Sequence, residues 1–163
     1  MRAPQNYSSL QITLHWLIAG LILIQLTINA DMQQAFAARL WAGTLPDHAG
    51  AWFHAAIGMS ILFLAIWRFA IRLARGAPEP ADTGPILAFL GRATHLLLYG
   101  FLVFMPVTGA LAWFTGMELA AIAHELGRLV LIPAILLHIA GALVEEFVLD
   151  NRVMRKMTRG SKG

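Results

Sequence analysis

The chain has no cysteine and few charged residues, and each of these observations excludes some classes of protein. Without cysteine there is no disulfide, no cysteine-ligated iron–sulfur cluster, no thiolate-ligated haem and no covalently attached c-type haem. Only 13% of the 163 residues are charged, about half the share of a soluble domain, and 58% are hydrophobic. The composition therefore indicates an integral membrane protein, in which any haem is held without a covalent link.

Four long apolar runs are separated by polar connectors, at about residues 12–28, 51–71, 93–114 and 120–148. Each is close to the roughly 20 residues that a transmembrane helix needs, whereas spanning strands are shorter and alternate in polarity. No small-residue cleavage site follows the first run, so we expect a retained span rather than a removed signal. We predict an all-α, single-domain (1–163) four-helix membrane bundle, with a short surface helix around residues 33–41 in the first loop.

Positive charge predicts how the bundle is oriented. Ten of the 12 lysines and arginines lie near the termini or around the second loop, and only Arg39 and Arg128 lie on the other side. Because lysine and arginine accumulate in cytoplasmic segments, we expect both termini and the second loop in the cytoplasm. The basic residues flank the spans, which favours contact with anionic lipid and argues against nucleic-acid binding.

The apolar runs carry histidines at two depths. His124 and His138 are fourteen residues apart in the fourth run, which places them within about 40° of one helix face and about 21 Å apart along the axis. In the predicted orientation His54 shares the outer depth with His124, and His15 shares the inner depth with His138. Ionisable residues in membrane helices are costly and usually functional. Four histidines paired by depth predict axial ligands for the irons of two haems b per chain.

Other interpretations of these histidines remain open. Each one alone could be an interfacial residue that hydrogen-bonds a neighbour. A histidine cluster could also bind zinc or copper, although such sites usually recruit acidic or sulfur ligands and the helix centres contain no Asp or Glu. His48 lies in a loop, and we expect it to be solvated.

Glycines follow each of the four proposed ligands within five residues, namely Gly20, Gly58, Gly127 and Gly141. A residue without a side chain lets a flat ring lie against the backbone, but it equally permits close helix packing. Pro106 and Pro133 lie inside helices and are expected to kink them.

Several motifs together carry a family resemblance. They are Tyr7 to Trp16 around His15, His54-x-x-x-Gly58 followed by Arg68, the stretch from His95 to Gly109 with Met105-Pro106-Val107-Thr108-Gly109, and His124-Glu125 followed by His138. Over nearly its whole length the chain resembles the prokaryotic cytochrome b561 family of four-helix, dihaem membrane proteins. The resemblance implies that His15 and His138 hold one haem b, and that His54 and His124 hold the other.

The resemblance also implies electron transfer between the periplasmic face and the quinone pool. At least one family member oxidises superoxide and passes the electrons to ubiquinone, so we expect a superoxide:ubiquinone type of oxidoreductase. Arg39 and Arg128, the only outward arginines, would attract superoxide, although Arg128 could instead pair with Glu125. His95 and Arg92 are candidates for the quinone region or for contacts with haem propionate or lipid phosphate. Arg68 is a further candidate for a propionate partner.

Two other functions fit the sequence. The chain could be a membrane anchor and electron-carrier subunit for a separate dehydrogenase or hydrogenase. It could also be a haem-free, histidine-lined metal transporter.

Overall fold

The structure is a computed structural model that describes residues 6–27, 32–78 and 83–158. Its helices, in chain order, are α1 (Ser9–Thr27), α2 (Met32–Ala42), α3 (Ala49–Arg75), α4 (Pro85–Thr115), α5 (Glu118–Phe147) and α6 (Val153–Lys156). The described residues contain no strand, and the predicted all-α class is confirmed.

Four of the helices are long and apolar enough to cross a membrane: α1, α3, α4 and α5, with 19, 27, 31 and 30 residues. Even the shortest reaches about 28 Å at 1.5 Å per residue, close to the roughly 30 Å of a bilayer core. Helix α4 begins at Pro85, ahead of the apolar run at 93–114, because proline has the backbone angle of a first helical residue and needs no N–H partner there. The protein is a multi-pass membrane protein.

Successive membrane helices pack side by side, α1 on α3, α3 on α4 and α4 on α5. Two glutamines of α1 form hydrogen bonds that link α1 to α3, one at each end of the bundle. The Nε2 amide of Gln11 donates to the Gly76 carbonyl at 3.0 Å, and that of Gln25 donates to the His54 carbonyl at 3.0 Å. Hydrogen bonds of this kind fix the position of one helix against another where apolar packing in lipid gives little directional preference.

A very short turn joins α4 to α5. Gly116 ends α4 with a left-handed φ of 73°, and its N–H donates to the Ala112 carbonyl at 2.9 Å. Glycine adopts this conformation without the steric penalty of a side chain. The two helices therefore form a tight antiparallel hairpin, in which residues of α4 face those of α5 along most of their length.

Helix α2 lies across one end of the bundle, and the predicted short helix in the first loop is confirmed. Its Ala35 is buried with Ala51 of α3 and Trp113 of α4. Arg39 donates to the carbonyls of Trp113 and Phe114, both at 3.4 Å, at the carboxyl end of α4. We call this end of the bundle, where α1 and α4 end, the α2 end. The opposite end, where α1 begins and α5 ends, is the termini end.

Candidate haem-binding sites

One pair of histidines lies towards the α2 end. The rings of His54 on α3 and His124 on α5 have centroids 6.3 Å apart, with their planes crossed at 73°. Both side chains are partly buried. The sequence predicted this pair from depth alone, and the tertiary structure brings the two rings opposite each other.

Helix α4 orients the ring of His124. Its Nδ1 lies 2.9 Å from the Met105 carbonyl and 3.3 Å from the Thr108 hydroxyl oxygen. Because a carbonyl oxygen only accepts, Nδ1 carries the proton and donates it to Met105, which leaves Nε2 as the nitrogen available to a metal. Metal-binding histidines characteristically donate their other ring N–H to a carbonyl or carboxylate in this way.

Gly109 gives the ring of His124 the space to sit against α4. A Cβ atom at position 109 would lie 3.0 Å from the ring carbon Cε1 and 3.2 Å from Nδ1. Real Cβ atoms seldom come so near other atoms. The ring of His124 therefore packs against residues 105–109 of α4, which we call the cradle. It consists of the Met105 carbonyl as hydrogen-bond acceptor and, one turn later, Gly109, where no side chain occupies the space of the ring.

A cavity of about 330 Å³ adjoins this first pair, within the roughly 300–1,000 Å³ range of small-molecule and cofactor sites. Its walls come from all four membrane helices and from α2, and they are mostly apolar. The polar residues that line it are Gln25, Gln33, His54, His124, Glu125 and Arg128. An apolar cleft with two facing imidazoles and a few polar groups fits a porphyrin better than it fits a hydrated ion.

The second pair lies towards the termini end. The ring centroids of His15 on α1 and His138 on α5 are 6.2 Å apart, with the planes crossed at 75°. The two pairs are thus almost identical in spacing and ring angle. A metal ion held between two histidine nitrogens at about 2.0–2.1 Å from each, as in zinc–histidine sites, would separate the ring centroids by roughly 6 Å. Both pairs have this spacing.

The helices that carry each pair are not packed on one another. In the described part of the chain α5 packs closely only on α4 and the short α6, whereas the partner histidines come from α1 and α3. Each pair therefore joins two helices whose backbones do not pack closely on one another. The space between two such helices can accommodate a flat macrocycle between the rings.

His95 lies beside the second pair. Its ring centroid is 5.0 Å from that of His138, with the planes crossed at 86°. Its Nδ1 is 2.7 Å from the Gly91 carbonyl and donates to it. The ring of His95 thus lies nearer to that of His138 than the ring of His15 does.

The two candidate arginines near the termini end differ in their surroundings. Arg68 donates through Nη1 to the Gln11 carbonyl, which holds it against α1 beside His15. Arg92 is exposed, one turn before His95 on α4. Of these two arginines, Arg92 is the one that a ligand approaching from outside the bundle can reach.

The four glycines next to the histidines have different surroundings. A Cβ atom at Gly127 would lie 2.7 Å from the Met105 sulfur and 2.9 Å from the Phe104 ring, so this glycine serves close packing of α5 on α4. At Gly58 the neighbour is the Gln25 amide at 3.3 Å. Gly20 and Gly141 meet nothing within 4 Å. The helix-packing interpretation holds at Gly127, and only the two glycines near the second pair border open space.

Sequence reasoning gave no role to Thr108, Gly109 or Gln25. The spacing of Met105 and Gly109, one helical turn apart in a motif already noted, was the available signal for the first two. Thr108 and Gly109 contact His124, which lies in a different helix. Helical periodicity does not show which residues of α4 face His124 of α5. Among the described residues no three His, Asp or Glu side chains converge on a metal-ion position.

Four helices able to span a membrane, with two pairs of facing histidines between them, define the class as a helical membrane protein. Comparison with known proteins identifies the class further. The sequence profile of the prokaryotic cytochrome b561 family matches residues 6–160, and the chain belongs to this family. It is 32% identical over 159 residues to a protein named cytochrome b562 from Cereibacter sphaeroides, covering 98% of this chain and 99% of that protein. No solved structure matches it significantly.

Family membership makes the protein a membrane b-type cytochrome of electron transport, with haem b as its cofactor. The predicted family is confirmed. The residues present fit that cofactor, because each histidine pair could offer two nitrogen ligands to an iron and the chain has no cysteine that could serve instead.

Side chains at position 109 should interfere with haem binding next to His124. We expect Gly109→Val to reduce the haem content clearly and Gly109→Ala to reduce it less, because the added carbon atoms displace the ring of His124 from the Met105 carbonyl. Haem-to-protein ratio in purified protein is the measurement. Gly100→Ala on the same helix is the matched control, since nothing lies within 4 Å of that site. Equal haem contents for Gly109→Val and Gly100→Ala would contradict the role given to the cradle.

Proposed function

We propose that the protein carries electrons across a bacterial inner membrane through two haems b, from a periplasmic one-electron donor to ubiquinone. The observation that carries the proposal is the presence of two histidine pairs with centroids 6.3 Å and 6.2 Å apart, each shared between α5 and another helix. His124 and His138 are fourteen residues apart on α5 and so about 21 Å apart along the helix axis. Two redox centres at these positions would divide the bilayer into short electron-transfer steps.

In this proposal His54 and His124 hold the outer haem, and His15 and His138 hold the inner one. The bound haem iron supplies the one-electron redox couple. A haem iron held by both histidines of a pair would offer small molecules no free coordination site. The protein then favours electron transfer at the edge of the ring over binding and activation of oxygen. Met105, Thr108 and Gly109 fix the ligand geometry of the outer site.

The charge distribution supports an orientation with the termini end in the cytoplasm. Arg68, Arg72 and Arg75 cluster where α3 reaches that end, and Arg155 and Lys156 lie on α6. Positive residues concentrate on the cytoplasmic side of membrane proteins. The α2 end, with the pair His54 and His124, then faces the periplasm. In this orientation the electron donor approaches the protein at the α2 end.

The inner acceptor region in this proposal contains His95 and Arg92. Both are exposed on α4, three residues apart, and so lie on one face of the helix. The ring of His95 is 5.0 Å from that of His138, so a quinone that contacts His95 is close to the inner haem ligands. Ubiquinone takes up two protons with its two electrons, and a histidine open to the cytoplasm is suited to deliver them.

Superoxide is the donor that we propose, on the strength of the family resemblance. Two superoxide anions each lose one electron to give two O2, while one ubiquinone gains two electrons and two protons to give ubiquinol. The reaction is balanced without any further oxidant or reductant. No substrate atom has to bind to the metal, which agrees with two histidine ligands at each site.

A second candidate, an electron carrier for a separate protein donor, is favoured by the charge at the α2 end. Among the described residues this end carries Arg39 and Arg128 but also Asp47, Glu118 and Glu125. Three acidic groups against two basic ones do not produce the positive field that would attract an anion. A protein with a basic docking surface would meet no such repulsion.

The number of haems tests the proposal directly. A pyridine haemochrome assay on fully loaded protein should give two haems b per chain, because the chain has two equivalent histidine pairs. A sharp reduced spectrum of six-coordinate haem should accompany it. A ratio near one haem per chain would contradict the dihaem proposal. Colourless protein after expression with ample haem would favour a haem-free metal transporter.

A further inference from the structure

Arg128 lies inside the membrane part of α5, and none of the residues that the structure describes forms an ion pair with it. It is ten residues after the start of α5 at Glu118, about 15 Å along the helix axis. It follows His124 by four residues, so the two share one face of the helix. Both also line the cavity beside the outer histidine pair. A guanidinium at this depth costs free energy unless an anion accompanies it.

No described residue supplies that anion. In the described ranges the only ion pair joins Arg152 to Asp150, and Arg128 makes no hydrogen bond. Glu125, three residues earlier, also lines the cavity, but its carboxylate accepts a hydrogen bond from the Gln33 amide of α2 at 3.4 Å and lies beyond ion-pair distance of Arg128. The predicted pairing of Arg128 with Glu125 is therefore not formed.

We propose that Arg128 binds a carboxylate of the cofactor in the outer site, namely a propionate of the porphyrin held by His54 and His124. This inference rests on the proposed function. A guanidinium and a carboxylate form paired, charge-assisted hydrogen bonds, which are stronger where water is excluded. A porphyrin with two propionates brings its own anion into an otherwise apolar cavity. Arg128 would then fix the rotation of the ring about the axis that joins the two histidines.

The test uses two porphyrins that differ only in these carboxylates. Full-length apoprotein is titrated with protohaem and with its dimethyl ester, in which both acids are blocked, and binding is followed by absorbance. For the outer site we expect the wild type to bind protohaem on the order of tenfold more tightly than the ester, a difference worth about 1.4 kcal/mol. Arg128→Met should weaken protohaem binding by about that factor and leave ester binding unchanged. Arg128→Lys should keep part of the preference.

A matched control is the same Arg128→Met change in a His124→Ala background, where only the inner site remains. There it should alter neither affinity, and inner-site binding also reports that the bundle has folded. The thermal stability of the apoprotein separates a structural role from a ligand-binding one. We expect Arg128→Met to leave it unchanged or raise it, because an unpaired charge has been removed from an apolar region.

Three results would overturn the inference: equal weakening of both porphyrins by Arg128→Met, no weakening of either, or a clear loss of apoprotein stability. Uptake of no porphyrin at all by the wild type would overturn the proposed function as well, and so differs from a failure confined to Arg128.

Discussion

Replacing His54 with alanine is expected to remove one of two haems and to leave the other bound. Replacing His138 should remove the other haem and spare the first. The two pairs are formed by different partner helices, and His124 and His138 are about 21 Å apart along the axis of α5, so loss of a ligand at one site should leave the other intact. The haem-to-protein ratio should fall from two to about one in each variant.

Two further replacements serve as controls for this experiment. His48→Ala should leave both haems in place, because His48 immediately precedes α3 and belongs to neither pair. A double variant, His54→Ala with His138→Ala, should bind no haem, since both pairs are then broken. Retention of two haems by either single variant would contradict the assignment of ligands by pairs.

The partner of His138 needs a separate comparison, because two rings lie near it. The centroid of His15 is 6.2 Å away and suits a metal placed between the rings, whereas that of His95 is 5.0 Å away and is too close for it. We therefore expect His15→Ala to remove the inner haem and His95→Ala to retain it. The opposite result would reassign the inner pair to His95 and His138.

Superoxide generated outside the membrane is expected to reduce the haems, and added ubiquinone should reoxidise them. Stopped-flow absorbance of the reduced band is the measurement, with superoxide dismutase as the control that should abolish the reduction. The reduction must be faster than spontaneous dismutation for the protein to act as an enzyme on superoxide. His54→Ala should slow it strongly, because the centre nearest the donor is then lost.

The salt dependence of that rate follows from the charges at the α2 end. Arg39 and Arg128 are outnumbered there by Asp47, Glu118 and Glu125. Salt lowers the rate of such a reaction by screening a positive field that attracts the anion, over a Debye length of about 8–10 Å. Because these charges produce no positive field, the rate should not fall as salt increases. The sequence alone suggested attraction by the two arginines, and the acidic neighbours remove that expectation. Reduction no faster than dismutation would instead favour a protein donor.

The sequence by itself determined the class, the number of spans and the depth of the histidines. These properties are local. Span length follows from the length of an apolar run, and the levels of His124 and His138 follow from 1.5 Å of rise per residue along one helix. The absence of cysteine excluded thiolate ligands and left histidine as the obvious ligand for a haem iron. The motifs around His15, His54 and His124 were specific enough to indicate the family.

Only the tertiary structure decided which residues of different helices meet. In lipid nearly every face of a helix is apolar, so periodicity does not reveal which face turns towards a neighbour. The donation from His124 to the Met105 carbonyl joins residues 19 positions apart, and the approach of His95 to His138 depends on how α4 is rotated against α5. For the same reason Gly127 packs on α4, and Arg128 lines the cavity without reaching Glu125. Such contacts depend on helix rotation and crossing, which arise from packing of the whole bundle.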